Sequence, residues 1–168
     1  MKRGSKLASN RVQIRGGCPV KIKRIEHIAI AVRSIEAMRD IFEKKLGIAL
    51  EYEEHLPQHS TRLAMFPIGE TYLELLESDK PDTGTSRWIA QHGEGLFHIC
   101  LEVEDIGSAM VELRAKGIGF EQEKPMIGHG NCRIVFLDPK TTGNLVIELA
   151  ELPKDGHGQG HSTQRATE

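Results

Sequence analysis

From Arg24 to Val32 polar and apolar positions alternate with a period of two. Ile25, His27, Ala29 and Ala31 fall on one face, and Ile28, Ile30 and Val32 on the other. This alternation predicts a strand of about ten residues. The period then lengthens. Behind Ser34, whose hydroxyl can cap a helix, apolar residues recur at three-to-four spacing through Ile35, Met38, Ile41, Phe42 and Leu46. Gly47 follows where a helix end favours a left-handed residue. Strand-like stretches come next at 48–54, 61–66 and 71–76, with a turn predicted over Pro67-Ile68-Gly69-Glu70.

The same order then returns. A strand is predicted over 96–103, with His98, Leu96, Cys100 and Glu102 on one face. Asp105 caps a helix that runs to Lys116 and stops at Gly117. Strands at 118–123, 133–137 and 145–149 follow, the last two separated by a turn at 138–144. The segment Arg24 to Ile35 is echoed by Gly95 to Ile106, with His27 and His98 71 positions apart. The halves close on matching stretches, Tyr72-Leu73-Glu74-Leu75-Leu76 and Val146-Ile147-Glu148-Leu149-Ala150. Each half therefore reads βαβββ, the first at about 24–78 and the second at about 95–151. The linker, 79–94, carries a short helix predicted at 86–92. The expected fold class is α+β. Two tandem modules form one eight-stranded sheet, curled by its natural twist around a cleft, with the helices on the convex side.

At 168 residues the chain suits one domain. A hydrophobic share of 39%, a charged share of 27% and a net charge of −2 fit a globular protein with no general attraction to nucleic acid or anionic membrane. No apolar run reaches the ~20 residues needed to cross a bilayer. The first 24 residues hold eight Lys/Arg and no Asp/Glu, and residues 1–20 read as a basic tail. Residues 153–168 are polar and Gly-rich and read as disordered, leaving His157 and His161 without a fixed place. Three cysteines without paired spacing (Cys18, Cys100 and Cys132) favour a reducing compartment, with Cys100 a small core residue. The expected location is the cytoplasm, or the mitochondrial matrix if the basic tail is a transit segment.

His27 and His98 occupy the same step of equivalent strands, as do Glu74 and Glu148. A carboxylate in the middle of an apolar strand is costly unless partnered. Two at matched places point to one shared partner, most simply a divalent cation held by His27, Glu74, His98 and Glu148. Two imidazoles and two carboxylates suit Zn, Ni, Co, Mn or Fe(II), and six-fold coordination leaves two positions open. His55, His92 and His129 fall in linker or loop contexts and are expected to be solvated, whereas His59 precedes a strand and can reach the rim.

With these residues in place the chain resembles the vicinal oxygen chelate (glyoxalase/bleomycin resistance/dioxygenase) superfamily, and within it the methylmalonyl-CoA epimerase family. The likeness runs from about 24 to 151. It is carried by Ile25 to Val32, by Leu56-Pro57-Gln58-His59 and by Pro67 to Glu77. The blocks Gly93 to Cys100 and Phe136 to Leu149 extend it. It implies metal ligands at His27, His98 and Glu148, with Glu74 standing where members have Gln or Glu. It also implies one divalent ion (Co, Ni, Zn or Mn), an acyl-CoA substrate and a homodimer. The implied activity interconverts stereoisomers of methylmalonyl-CoA, or a related 2-substituted malonyl thioester, through an enolate. Glu148 and Glu74 are the expected bases. Arg62, Lys124 and Lys140, with His59, are expected to contact substrate. The chain departs from the family at His59-Ser60-Thr61, at Asp138 in place of a usual His, and at Leu63, where some epimerases carry a Glu. The rival readings are a glyoxalase I-type lactoylglutathione lyase and a metal-free small-molecule binding protein of the same fold.

Overall fold

The computed structural model describes residues 20–154; Cys18 and most of both predicted tails lie outside the described residues. Eight strands form one sheet in the order β2-β3-β4-β1-β5-β8-β7-β6. They are β1 (Ile22–Val32), β2 (Tyr52–Leu56), β3 (Thr61–Ile68), β4 (Thr71–Ser78), β5 (Gly95–Val103), β6 (Met126–Ile127), β7 (Arg133–Phe136) and β8 (Ile147–Glu151). Three helices accompany them: α1 (Ile35–Arg39, continued by a π-helical stretch Asp40–Lys45), α2 (Gly84–His92) and α3 (Ile106–Ala115).

The two halves join through β1 and β5, which run antiparallel across an approximate two-fold axis. Each also pairs in parallel with the last strand of its own module, β1 with β4 and β5 with β8. The caps repeat as well. Ser34 Oγ accepts from Ala37 N at 3.2 Å, and Asp105 Oδ1 accepts from Ser108 N at 2.5 Å. The first helical N–H of each module, at Ile35 and Ile106, donates to a carboxylate from the closing strand, Glu77 and Glu151, at 2.7 and 2.9 Å. An anion at a helix N-terminus satisfies an orphan donor and opposes the helix dipole. The Glu77 and Glu151 bonds therefore lock each helix to its sheet.

Four hydrophobic clusters divide between the sheet's faces. On the convex face Ile35 and Phe42 of the α1 segment pack on Phe66 and Leu75. There too Ile106 and Met110 of α3 pack on Val135 and Leu149. Burying each such side chain stabilises the fold by about 1.5–3 kcal/mol. On the concave face Ala29, Leu63 and Leu76 form one cluster, and Cys100, Cys132 and Ala150 another. Of these, the small Ala29 and Cys100 lie directly beside the candidate ligands Glu74 and Glu148.

Several boundaries differ from the sequence reading. Residues 48–51 are not strand, because Leu50 N donates to the Glu43 carboxylate at 3.4 Å and Ile48 N donates back to Phe42 O. The strand predicted at 118–123 shrinks to a single bridge at Phe120. There the Gln122 side chain takes the ladder's place, accepting from Phe136 N at 2.9 Å. β3 runs through Pro67 and Ile68, so the turn is only Gly69-Glu70, with Gly69 at φ 61°. The linker helix starts two residues early behind a reciprocal Thr83–Ser86 cap.

Candidate active site

Both candidate histidines sit behind a β-bulge. Between the pairs Ile25↔Leu101 and His27↔Cys100, β1 carries one extra residue, Glu26. Between Ala29↔His98 and Ile30↔Leu96, β5 carries one extra residue, Phe97. A bulge turns two successive side chains toward one side, and strict alternation fails at both places. Ile25 and Leu96, expected on the histidine face, are turned outward and are 43% and 71% exposed. Glu26 instead joins His27 inside, and Phe97 joins His98 in lining the cleft.

The four predicted ligands converge. His27 Nε2 lies 3.1 Å from His98 Nε2, 3.2 Å from Glu74 Oε2 and 3.4 Å from Glu148 Oε2. His98 Nε2 lies 3.4 Å from the same Glu148 oxygen. All four residues are at most 6% exposed. Neighbouring ligands of one ion with bonds of ~2.1 Å stand about 3.0–3.4 Å apart in octahedral and tetrahedral arrangements. The donor set and its spacing thus fit a divalent cation of the Zn, Co, Ni or Mn type. Register explains the convergence. Glu74 stands beside Ala29 and Glu148 beside Cys100, and those two residues in turn oppose His98 and His27.

Glu26 is a residue of the candidate site that sequence reasoning missed. It is 3% exposed and accepts from His27 Nδ1 at 2.5 Å. That bond fixes the tautomer that turns the Nε2 lone pair toward the cluster, the usual support for a metal-binding imidazole. His129, expected to be solvated, is buried instead. Its Nε2 is 3.4 Å from the Glu26 carboxylate and its Nδ1 is 3.3 Å from the Tyr52 hydroxyl. His129 reaches the site because the curled sheet brings its two edges together. Across that seam Gly130 N donates to Glu54 at 2.9 Å, and His59 Nε2 meets Ile127 O at 2.6 Å. No local pattern announces a contact between residues 77 apart. His98 differs from His27 in that its Nδ1 is buried without a hydrogen-bond partner. Its ring packs edge-on against Phe97 and Phe136.

The electrostatics follow from this crowding. Burial alone would raise the Glu26 carboxyl, but His129 and His27 beside it hold it well below the usual carboxylate range. Glu148 is likewise held low against burial by His27 and His98. Burial would lower His27, but Glu74, Cys100 and Glu148 raise it well above an ordinary imidazole. Without a cation, the cluster keeps its charges by holding a proton among them.

A cleft of about 600 Å³ opens over the quartet. Trp88 and Phe97 form part of its wall, with ring centroids 5.1 Å apart, and His92 stacks on Trp88 at 3.9 Å. His59, Leu63 and Arg87 also line it. His55 and His92 are exposed, as expected. Of the four predicted substrate contacts only His59 faces the cleft. Arg62 is turned to Glu77 and Glu53, at 3.5 and 3.9 Å. Lys124 and Lys140 are exposed on flanking loops outside the lining.

Paired βαβββ modules in one eight-stranded sheet, with a His/Glu quartet able to hold a metal in the shared cleft, define a class of folds built by duplication. The family model of the Glyoxalase/Bleomycin resistance protein/Dioxygenase superfamily matches residues 26–136, and the chain belongs to that superfamily. Among its relatives is the mitochondrial methylmalonyl-CoA epimerase of Mus musculus, 30% identical over 152 residues, covering 88% of this chain and 84% of the relative. Another is the ethylmalonyl-CoA/methylmalonyl-CoA epimerase of Cereibacter sphaeroides, 29% identical over 133 residues, covering 78% and 99%. A solved structure of Streptomyces coelicolor methylmalonyl-CoA epimerase, in complex with 2-nitronate-propionyl-CoA, superimposes with a TM-score of 0.76 at 30% identity, covering 80% and 97%.

Proposed function

We propose that this protein is a divalent-metal-dependent epimerase that interconverts the stereoisomers of methylmalonyl-CoA or a closely related 2-substituted malonyl thioester. The observation that carries the reading is the convergence of His27, His98, Glu74 and Glu148 within 3.1–3.4 Å contacts under the cleft. The named activities of the relatives support the substrate class. Epimerisation beside a thioester removes a carbon-bound proton, leaves an enolate, and returns a proton to the opposite face. A divalent ion held by the four residues, whether Co, Ni, Zn or Mn, supplies Lewis-acid stabilisation for the oxyanion that develops.

The remaining work falls to the chain's own groups. Glu74 and Glu148 come from symmetry-related strands, so they flank the local two-fold axis and approach a carbon on that axis from opposite sides. One carboxylate takes the proton while the other carboxyl returns one. Each must come within about 3 Å of the proton it moves. A carboxylate has two oxygens, one for ligation and one for proton transfer. The Trp88, Phe97 and Leu63 walls keep water from the carbanion face, and Arg87 at the mouth offers positive charge to the phosphates of an acyl-CoA. A homodimer is supported by the outward rung Ile28↔Ile99, which lies on the two-fold axis, with the exposed Leu96 beside it. The reducing cytoplasm, or the mitochondrial matrix, is the expected location.

Deuterium incorporation at carbon 2 of methylmalonyl-CoA in heavy water tests the proposal. Protein loaded with each of the four metals in turn is expected to exchange the proton. Absence of exchange with all four, together with formation of lactoylglutathione from methylglyoxal and glutathione, would overturn it in favour of the lyase reading.

A further inference from the structure

Cys100 stands in the second module where Ala29 stands in the first. Ala29 pairs beside Glu74 and opposes His98; Cys100 pairs beside Glu148 and opposes His27. The two-fold therefore requires only a small side chain at this position, and the second module has placed a thiol there. Cys100 is fully buried and unpaired as a disulfide. Its sulfur, a nitrogen of His27 and an oxygen of Glu148 all lie within 4.8 Å of one another. Proton transfer between carbon and carboxylate makes no use of it.

We propose that Cys100 is a fifth donor that gives the centre a second, thiophilic binding mode. A soft divalent ion such as Cd²⁺ is held by His27, Cys100 and Glu148, and is drawn away from Glu74 and His98. This rests on the reading of the quartet as a metal centre. Thiolate donors select soft ions, whereas imidazole and carboxylate alone suit harder ones such as Mn²⁺. The thiol releases its proton to solvent as the sulfur–metal bond forms. His27 and Glu148 belong to both donor sets, so the two modes exclude each other and one ion binds per chain. The duplicated half already tolerates alanine at this place, so Cys100→Ala copies a side chain that the fold accepts.

The test is a titration of the full-length, chelator-stripped protein with Cd²⁺ alone and with Mn²⁺ alone, followed by ultraviolet absorption. One equivalent of Cd²⁺ is expected to raise a sulfur-to-cadmium charge-transfer band in the native chain and in the Cys18→Ala and Cys132→Ala variants. The band is expected to vanish in Cys100→Ala. In that variant the ratio of Cd²⁺ to Mn²⁺ affinity is expected to fall at least about tenfold, or ~1.4 kcal/mol. Stoichiometric Cd²⁺ binding without the band, a band that survives in Cys100→Ala, or one lost in Cys132→Ala would overturn the inference and leave the quartet standing. Failure of the native chain to bind either ion would overturn both.

Discussion

Replacing Glu26 with Gln tests whether the bulge before His27 exists to serve the metal centre. The substitution keeps the volume of the buried side chain and removes its charge. At 2.5 Å from His27 Nδ1 and 3.4 Å from His129 Nε2, the carboxylate both fixes the tautomer of His27 and makes its Nε2 more basic. A net charge-assisted hydrogen bond contributes about 1.5–3 kcal/mol. Loss of a carboxylate behind a ligating histidine weakens metal binding by about 10- to 100-fold, or ~1.4–2.7 kcal/mol. The two magnitudes agree. Competition against a chromophoric chelator, with Zn²⁺ or Co²⁺ at fixed pH, therefore should find Glu26→Gln weaker by one to two decades, with near-native circular dichroism. Glu26→Asp should recover part of the loss. Metal affinity within a factor of two of native would refute the reasoning and reduce Glu26 to a packing residue.

Other outcomes follow from the same geometry. Glu148→Gln should lower proton exchange by about 10²–10⁴, the usual worth of a positioned acid or base. Glu74→Gln should keep the metal and lose exchange at one face only, as followed by deuterium incorporation from each stereoisomer. Metal binding should release protons, because the neighbouring carboxylates raise His27 above its ordinary 6.5 and a cation must displace that proton. Affinity should thus climb with pH above 6.5, which calorimetry in buffers of different ionisation enthalpy measures. The metal-free protein should be most stable between the ordinary carboxylate value of 4.5 and the ordinary imidazole value of 6.5. The depressed Glu148 carboxyl contributes stability that is lost as pH falls through its folded value, and the raised His27 contributes stability that is lost as pH rises through its own. Gly128→Ala would bring a Cβ to 2.8 Å from Ile134 next to His129. A cost of about 1–3 kcal/mol is expected, read as a fall in Tm of about 3 °C per kcal/mol.

Duplication made most of the fold legible in the sequence. Matched strands, caps and glycine stops needed only local pattern, and the four candidate ligands needed only their matched places. What escaped the sequence reading depends on departures from local rule. Alternation assigns Ile25 to the histidine face and says nothing of Glu26, because a bulge leaves no mark in hydrophobic period. Gln122 resembles a strand residue until its side chain takes a backbone's hydrogen bond. His129 and Tyr52 meet only because an eight-stranded sheet curls far enough for its edges to touch. Arg62 and Lys140 carry the charge an acyl-CoA requires, yet charge alone does not say which face of a strand or side of a turn a residue occupies. Arg87, in the first turns of α2, reaches the cleft mouth by virtue of the Thr83 cap that starts the helix early.

The duplication also shows where the halves have stopped being equivalent, and that is where the chemistry divides. The bulge position holds Glu26 in one module and Phe97 in the other, so the two imidazoles are supported differently. His27 is braced by a charged hydrogen bond, whereas His98 is set by aromatic edges and keeps an unpartnered Nδ1. The position beside each carboxylate holds Ala29 or Cys100. Both changes fall on the same side of the cluster, that of His27 and Glu148. A symmetric scaffold thus supplies the converging donors, and unequal substitutions on it set the surroundings of one pair apart from those of the other.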